Sequence, residues 1–132
     1  MDIKFNDLNR IHKVVQKKIN KEISEIVENS SFILGEKIEE FEKNFSTFTK
    51  TKYTISCANG TEAIELTLRA LDIGIGDEVL LPANTFIATS IAVSRTGAIP
   101  VFYDCDKYYL SDISSIKKKL NKKTKAIITV HL

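Results

Sequence analysis

At 132 residues, with 43% hydrophobic and 27% charged side chains, the chain has the makeup of one soluble globular domain. Its 19 basic and 17 acidic residues leave a net charge of +2, which excludes a general electrostatic pull toward nucleic acid. No apolar run reaches the roughly 18 residues that span a bilayer, and no early apolar stretch follows a basic start, so neither a membrane span nor a signal peptide is expected. Cys57 and Cys105 lie far apart on or just after apolar runs, a pattern that predicts buried free thiols and a cytoplasmic location.

Asn6 or Asp7 is placed to cap a first helix in which Leu8, Ile11, Val15, Ile19, Ile23 and Ile26 recur every three or four residues, with Asn29-Ser30-Ser31 ending it. Phe32-Ile33-Leu34-Gly35 leads into a second amphipathic helix. Its aromatic stripe, Phe41, Phe45 and Phe48 beside Ile38, predicts a core face. Tyr53 to Cys57 is short, β-branched and aromatic, and predicts a strand. Asn59-Gly60 then breaks the chain, and from Thr61 onward Ala63, Leu66, Ala70 and Leu71 recur at helical spacing.

A strand turning sharply into a helix has a chemical consequence. Gly60 would let the backbone approach a ligand or take a positive φ, and the first amides of the helix, at Thr61, Glu62 and Ala63, are expected to lack intrahelical acceptors. With the Thr61 hydroxyl they would receive a phosphate-sized anion. The same residues also read as a turn and a cap, with Thr61 satisfying a free amide.

Gly74 and Gly76 close the helix and lead into Val79-Leu80-Leu81, which Pro82 ends. The Gly-x-Gly precedes a strand and lacks a third glycine, unlike a dinucleotide signature. Asn84-Thr85-Phe86 opens another helix running to Gly97, Ala98–Tyr103 is a further strand, Ser111–Asn121 a lysine-rich helix capped by Ser111 or Asp112, and Ala126–Val130 a last strand. This βαβαβαβ order predicts an α/β fold, a mainly parallel sheet covered on both faces, with ligands at the carboxyl ends of its strands. Asn59–Glu62 and Asn84–Phe86 would then share one rim, where Phe86 is either a stacking platform for a flat ring or a core residue at a helix start. Asp104 and Asp106 read as turn chemistry and not as metal ligands, so no metal is expected. His131 reads as a satisfied core histidine and Glu65 as surface.

Phe32–Glu42, Cys57–Ala63, Gly76–Val79, Thr85–Thr89, Gly97–Val101 and Lys123–Leu132 keep an order and spacing that resembles the DegT/DnrJ/StrS-type sugar aminotransferases over nearly the whole chain. The resemblance implies a partial fold-type I large domain, a three-layer α/β/α body at 51–132, preceded by an amino-terminal helical segment at 1–50. It implies an enzyme dependent on pyridoxal 5'-phosphate that moves an amino group, usually from glutamate, to a nucleotide-linked keto sugar in aminodeoxy-sugar biosynthesis, as a homodimer. Thr61 and the Glu62 amide would hold the cofactor phosphate, Gly60 would allow the approach, and Phe86 would stack on the pyridine ring.

In that family the Schiff-base lysine and the aspartate that pairs with the pyridine nitrogen are expected beyond Leu132, so no catalytic residue is assigned within this chain and it is expected to be inactive alone. Lys117, Lys118, Lys119, Lys122, Lys123 and Lys125 read as a solvated face. The Val79, Val101 and Ile128 strands are expected to pair with one another, leaving the Ile55 strand without its neighbours as an aggregation-prone edge. A dehydratase using the same cofactor, a non-catalytic remnant or partner of a full-length relative, and a phosphate- or dinucleotide-binding module are the alternative readings.

Overall fold

A computed structural model describes residues 5–131, so Leu132 at the end of the last resemblance block lies outside the described residues. The chain forms two compact units, one up to Ser56 and one from Cys57 on.

The first unit holds helices α1 (Leu8–Glu28) and α2 (Glu36–Thr49). Asp7 is the N-cap of α1 by position but makes no side-chain cap bond. Gly35, at φ 104, occupies the N-cap position of α2 in a conformation that L side chains rarely adopt. Lys37 on α2 pairs with Glu22 and, at 3.2 Å, with Glu25, both on α1. These groups are exposed, yet the contact holds the Glu22 carboxyl below and the Lys37 amine above its ordinary range. The expected aromatic core face of α2 is not buried. Phe41, Phe45 and Phe48 are 52%, 45% and 83% exposed, and they stack on one another at centroid separations of 5.7 and 6.4 Å. Helical periodicity specifies a face but not what covers it.

The expected strand at Tyr53–Cys57 is absent among the described residues. A strand exists through a ladder partner, and β-propensity alone does not supply one. Ile55 is accordingly 84% exposed. After it, Ser56 donates through its amide and hydroxyl, at 2.8 and 2.7 Å, to the Glu42 carboxylate of α2. Those two donors hold the Glu42 carboxyl below its ordinary range.

The second unit is built on a three-stranded parallel sheet in the order β2-β1-β3, with β1 at Glu78–Pro82, β2 at Ile99–Tyr103 and β3 at Thr124–Ile127. The pairing of the Val79, Val101 and Ile128 regions is as expected, although β3 begins two residues earlier than the apolar run predicts and ends sooner. β1 is central, and Val79, Leu80 and Leu81 are all 0% exposed, which explains an apolar run without alternation. Helices α3 (Gly60–Ala70) and α4 (Ala88–Arg95) cover one face, where Leu68 and Val93 meet Val79 and Leu81. Helix α5 (Ile113–Lys119) covers the other, where Ile116 packs with Leu80 and Tyr103. The chain crosses from central β1 to β2 through α4 and then back past β1 to β3 through α5, and these two crossovers of opposite direction make three layers.

β2 is an edge strand. Its Ile99 amide donates to Asp77 O, so the missing N–H of Pro100 faces the open side, where no ladder bond is lost. Gly97, at φ +87, turns the chain from α4 into β2 directly against Ile75. Helix α5 is shorter than its lysine-rich pattern predicts and is capped by Asp112, whose side chain accepts from the Ser114 amide. The Ser114 amide and hydroxyl hold the Asp112 carboxyl below its ordinary range. Lys117, Lys118, Lys119, Lys122, Lys123 and Lys125 are all exposed.

Candidate functional site

The N-terminus of α3 is organised by Asn59. Its backbone is extended, at φ −165 and ψ 172, and its Oδ1 accepts from the Glu62 amide at 3.0 Å. Glu62 answers by folding its carboxylate back onto the Ala58 amide at 2.6 Å. This variant of the capping box, with the Glu62 carboxylate on the amide just before the N-cap, is written in the sequence as Asn-x-x-Glu, a signal that an assignment of the cap to Thr61 overlooks. The Ala63 amide reaches Asn59 O at 3.0 Å. The expectation of free amides at Glu62 and Ala63 is therefore corrected: among the described residues the amides at this turn that make no hydrogen bond are those of Asn59, Gly60 and Thr61, and the Thr61 hydroxyl makes none either.

Gly60 contributes room. Its φ lies outside the left-handed region, so of its two expected uses only close approach remains, and a Cβ built on it would meet no protein atom within 4 Å. A helix N-terminus with two unpartnered amides and open space above them is suited to an anion.

At the carboxyl end of β1, the Ala83 amide donates to Tyr103 O at 2.9 Å, and Asn84–Ile87 forms a turn before α4 instead of its first coil. Within that turn the Thr85 and Thr89 hydroxyls meet at 3.0 Å, and the Thr89 amide donates to Phe86 O at 3.1 Å. Phe86 is thereby held 77% exposed at this edge of the sheet. The third wall is the chain beyond β3, from Ile128 to His131. His131 is exposed at this wall, contrary to the core histidine expected, because β3 ends before it enters the packed layers.

These segments enclose an open cleft of about 770 Å³ at the carboxyl edge of the sheet. Gly60 and Thr61 lie on one wall and Phe86 on another, so the structure brings together three of the residues singled out from sequence. Glu62 sits behind the rim, its amide and carboxylate both engaged in the cap. Among the described residues no lysine or arginine lines the cleft. An anion there would be held by backbone dipoles and hydroxyls, and the neighbouring exposed ring offers an apolar face to a flat group attached to that anion. A phosphorylated pyridine fits this donor set.

Other candidates serve the fold. Glu65 is ion-paired with Arg69 at 2.9 Å and Arg95 at 3.6 Å, and Arg69 also donates to Arg95 O, which clamps α3 to α4. Asp106 Oδ1 accepts from the Tyr108 and Leu110 amides at 2.8 and 3.0 Å, and Asp104 Oδ1 from Cys105 at 2.9 Å, so both carboxylates shape turns. Cys57 is exposed and Cys105 half-buried, where buried thiols were expected; both are free. The apolar runs that suggested burial end before either cysteine is covered by a second layer.

A parallel sheet with helices on both faces, similar to solved sugar aminotransferases of fold type I, makes this chain part of a fold-type I domain. The chain belongs to the DegT/DnrJ/EryC1/StrS aminotransferase family, whose family model matches residues 13–132. It is 42% identical, over 98% of its length, to 36% of the dTDP-3-amino-3,6-dideoxy-alpha-D-galactopyranose transaminase of Aneurinibacillus thermoaerophilus. Among solved structures it is similar to DesV of S. venezuelae, at a TM-score of 0.92 and 32% identity over 98% of this chain and 35% of that one. NtdA of Bacillus subtilis with bound cofactor PMP matches at a TM-score of 0.91 and 33% identity over 99% of this chain and 31% of that one. The chain spans about a third of the length of these relatives. Among the described residues no helix is long and apolar enough to cross a membrane.

Proposed function

We propose that this chain is part of an aminotransferase that moves an amino group from an amino-acid donor, glutamate, to a nucleotide-linked keto sugar with pyridoxal 5'-phosphate as cofactor, in a homodimer when the protein is whole. The observation that supports this best is the meeting of the unpartnered Gly60 and Thr61 amides with the exposed Phe86 in one cleft. The names and structures of the family members point the same way.

Bound there, the cofactor would supply an electron sink that lets an amino group and a proton be exchanged at carbon. The residues of this chain hold and orient it. Thr61, through amide and hydroxyl, and the Gly60 amide would bind the phosphate; Glu62 supplies the capping carboxylate that fixes the turn, and its own amide would join the phosphate when Asn59 Oδ1 releases it. Phe86 would stack on the ring and shield it from water. The lysines of α5 and its following loop are solvated and outside the cleft, so none offers the desolvated amine that the covalent chemistry needs. Residues 1–132 alone would bind without turning over.

The test is a titration with pyridoxamine 5'-phosphate, which binds without a lysine, followed by heat and by ³¹P resonance shift. Saturable binding that Gly60→Val abolishes is expected, together with release of 2-oxoglutarate from glutamate by the whole protein given a nucleotide-linked keto sugar. No binding, or binding indifferent to Gly60→Val, would overturn the reading.

A further inference from the structure

Tyr103 is the last residue of β2, and its side chain is 1% exposed. It stands in register with Pro82 at the end of β1. Its backbone carbonyl accepts from the Ala83 amide at 2.9 Å, and its hydroxyl lies 3.1 Å from Ile128 O and 2.9 Å from Ser111 Oγ. Because the sheet order is β2-β1-β3, the side chain passes across the end of β1 to reach the chain leaving β3.

The protons can be assigned by donor accounting. Ile128 O is a carbonyl and only accepts, so the Tyr103 hydroxyl donates to it; the Ser111 hydroxyl must then donate to the Tyr103 oxygen. The result is a directed chain, Ser111 to Tyr103 to Ile128, partly buried between α5 and the sheet, where successive bonds polarise one another. Ser111 in turn is bridged to Cys105 at the base of the loop that Asp106 folds.

One buried residue therefore grips two walls of the cleft. Its carbonyl fixes Ala83, immediately before the turn that presents Phe86, and its hydroxyl fixes Ile128, immediately before Thr129–His131. We infer that Tyr103 is a positioning residue for the cofactor cleft, setting the separation of the Phe86 wall from the 128–131 wall through its hydroxyl, with Ser111 as the outer donor. This rests on the cofactor reading of the cleft. A phenylalanine at this position would fill the same core volume and keep the backbone bond to Ala83 while leaving the Ile128 carbonyl unpartnered.

The experiment compares wild type, Tyr103→Phe and Ser111→Ala in the whole protein by two readouts. One is the dissociation constant for pyridoxamine 5'-phosphate. The other is amide hydrogen exchange at Thr129–His131, referenced to the Leu80 and Leu81 amides of β1. Tyr103→Phe is expected to weaken binding about threefold to tenfold, the range of one net hydrogen bond, and to speed exchange at Thr129–His131 with the β1 amides unchanged. Ser111→Ala should move both in the same direction by less. Binding and local exchange equal to wild type in Tyr103→Phe overturn the inference alone, as does faster exchange spread evenly over the sheet, which marks a purely structural role. Absence of binding by wild type overturns the cofactor reading and this inference with it.

Discussion

Asn59 offers the sharpest separation of folding from binding, because two substitutions there act differently on each. Its Oδ1 caps the Glu62 amide at 3.0 Å. Asn59→Ala removes that cap and should cost about 1 kcal/mol of stability, within the roughly 0.5–2 kcal/mol range of lost N-caps. It also frees the Glu62 amide for a phosphate, so affinity for pyridoxamine 5'-phosphate should change little. Asn59→Asp keeps an equally good cap, and stability should stay within about 0.5 kcal/mol of wild type. The new carboxylate, however, would stand beside the bound phosphate. A pair of unit charges at about 4 Å is worth about 1 kcal/mol in water and about 4 kcal/mol near a protein surface. A loss of about 1–3 kcal/mol, roughly 5-fold to 150-fold in dissociation constant, is therefore expected. The loss should shrink as salt is raised through the physiological range. Urea melts give the stability arm and calorimetric titration the binding arm. Wild-type affinity in Asn59→Asp, with a stable fold, would refute phosphate binding at this turn.

Phe86→Ala should leave stability within about 0.5 kcal/mol, since the ring is 77% exposed, while weakening pyridoxamine 5'-phosphate binding in the same titration; a large loss of stability would contradict the exposed platform. Leu81→Ala, at a residue 0% exposed in the central strand, should instead cost about 2–5 kcal/mol in urea melts. Gly97→Ala combines φ +87 with a Cβ only 2.7 Å from Ile75 Cγ1, and should cost about 1–3 kcal/mol, part of it recovered by Ile75→Ala. Glu42 has its carboxyl depressed in the folded state by the Ser56 amide and hydroxyl. Its contribution is thus complete above the unfolded value and is lost as pH falls through the folded one. Protection of the Ser56 amide from exchange, corrected for the intrinsic rate, should fall on acidification in wild type and stay independent of pH in Glu42→Gln, whose side-chain carbonyl accepts without titrating.

Much of the candidate site was legible locally. Gly60 and Thr61 follow from a break and a helix start, Phe86 from its place after a strand, and the parallel order of β1, β2 and β3 from apolar runs separated by helices. Asn59 was legible too, as the first member of Asn-x-x-Glu, but Thr61 competes for the same role by propensity. Tyr103 gave no such signal. A tyrosine closing a buried strand reads as core, and its hydroxyl acquires meaning only through Ile128, 25 residues away.

From its own order of residues the chain determines its family, its helices and the turn at Asn59–Glu62, because capping, periodicity and glycine placement act within a few residues. The tertiary structure alone decided the rest. It left Tyr53–Cys57 without a ladder, because strands require partners from elsewhere in the chain. It exposed Phe86 and His131 by ending the packed layers before them, and it directed the hydroxyl of Tyr103 across β1. Burial and hydrogen-bond pairing depend on which distant segments arrive at the same edge of the sheet, and local pattern does not encode that arrival.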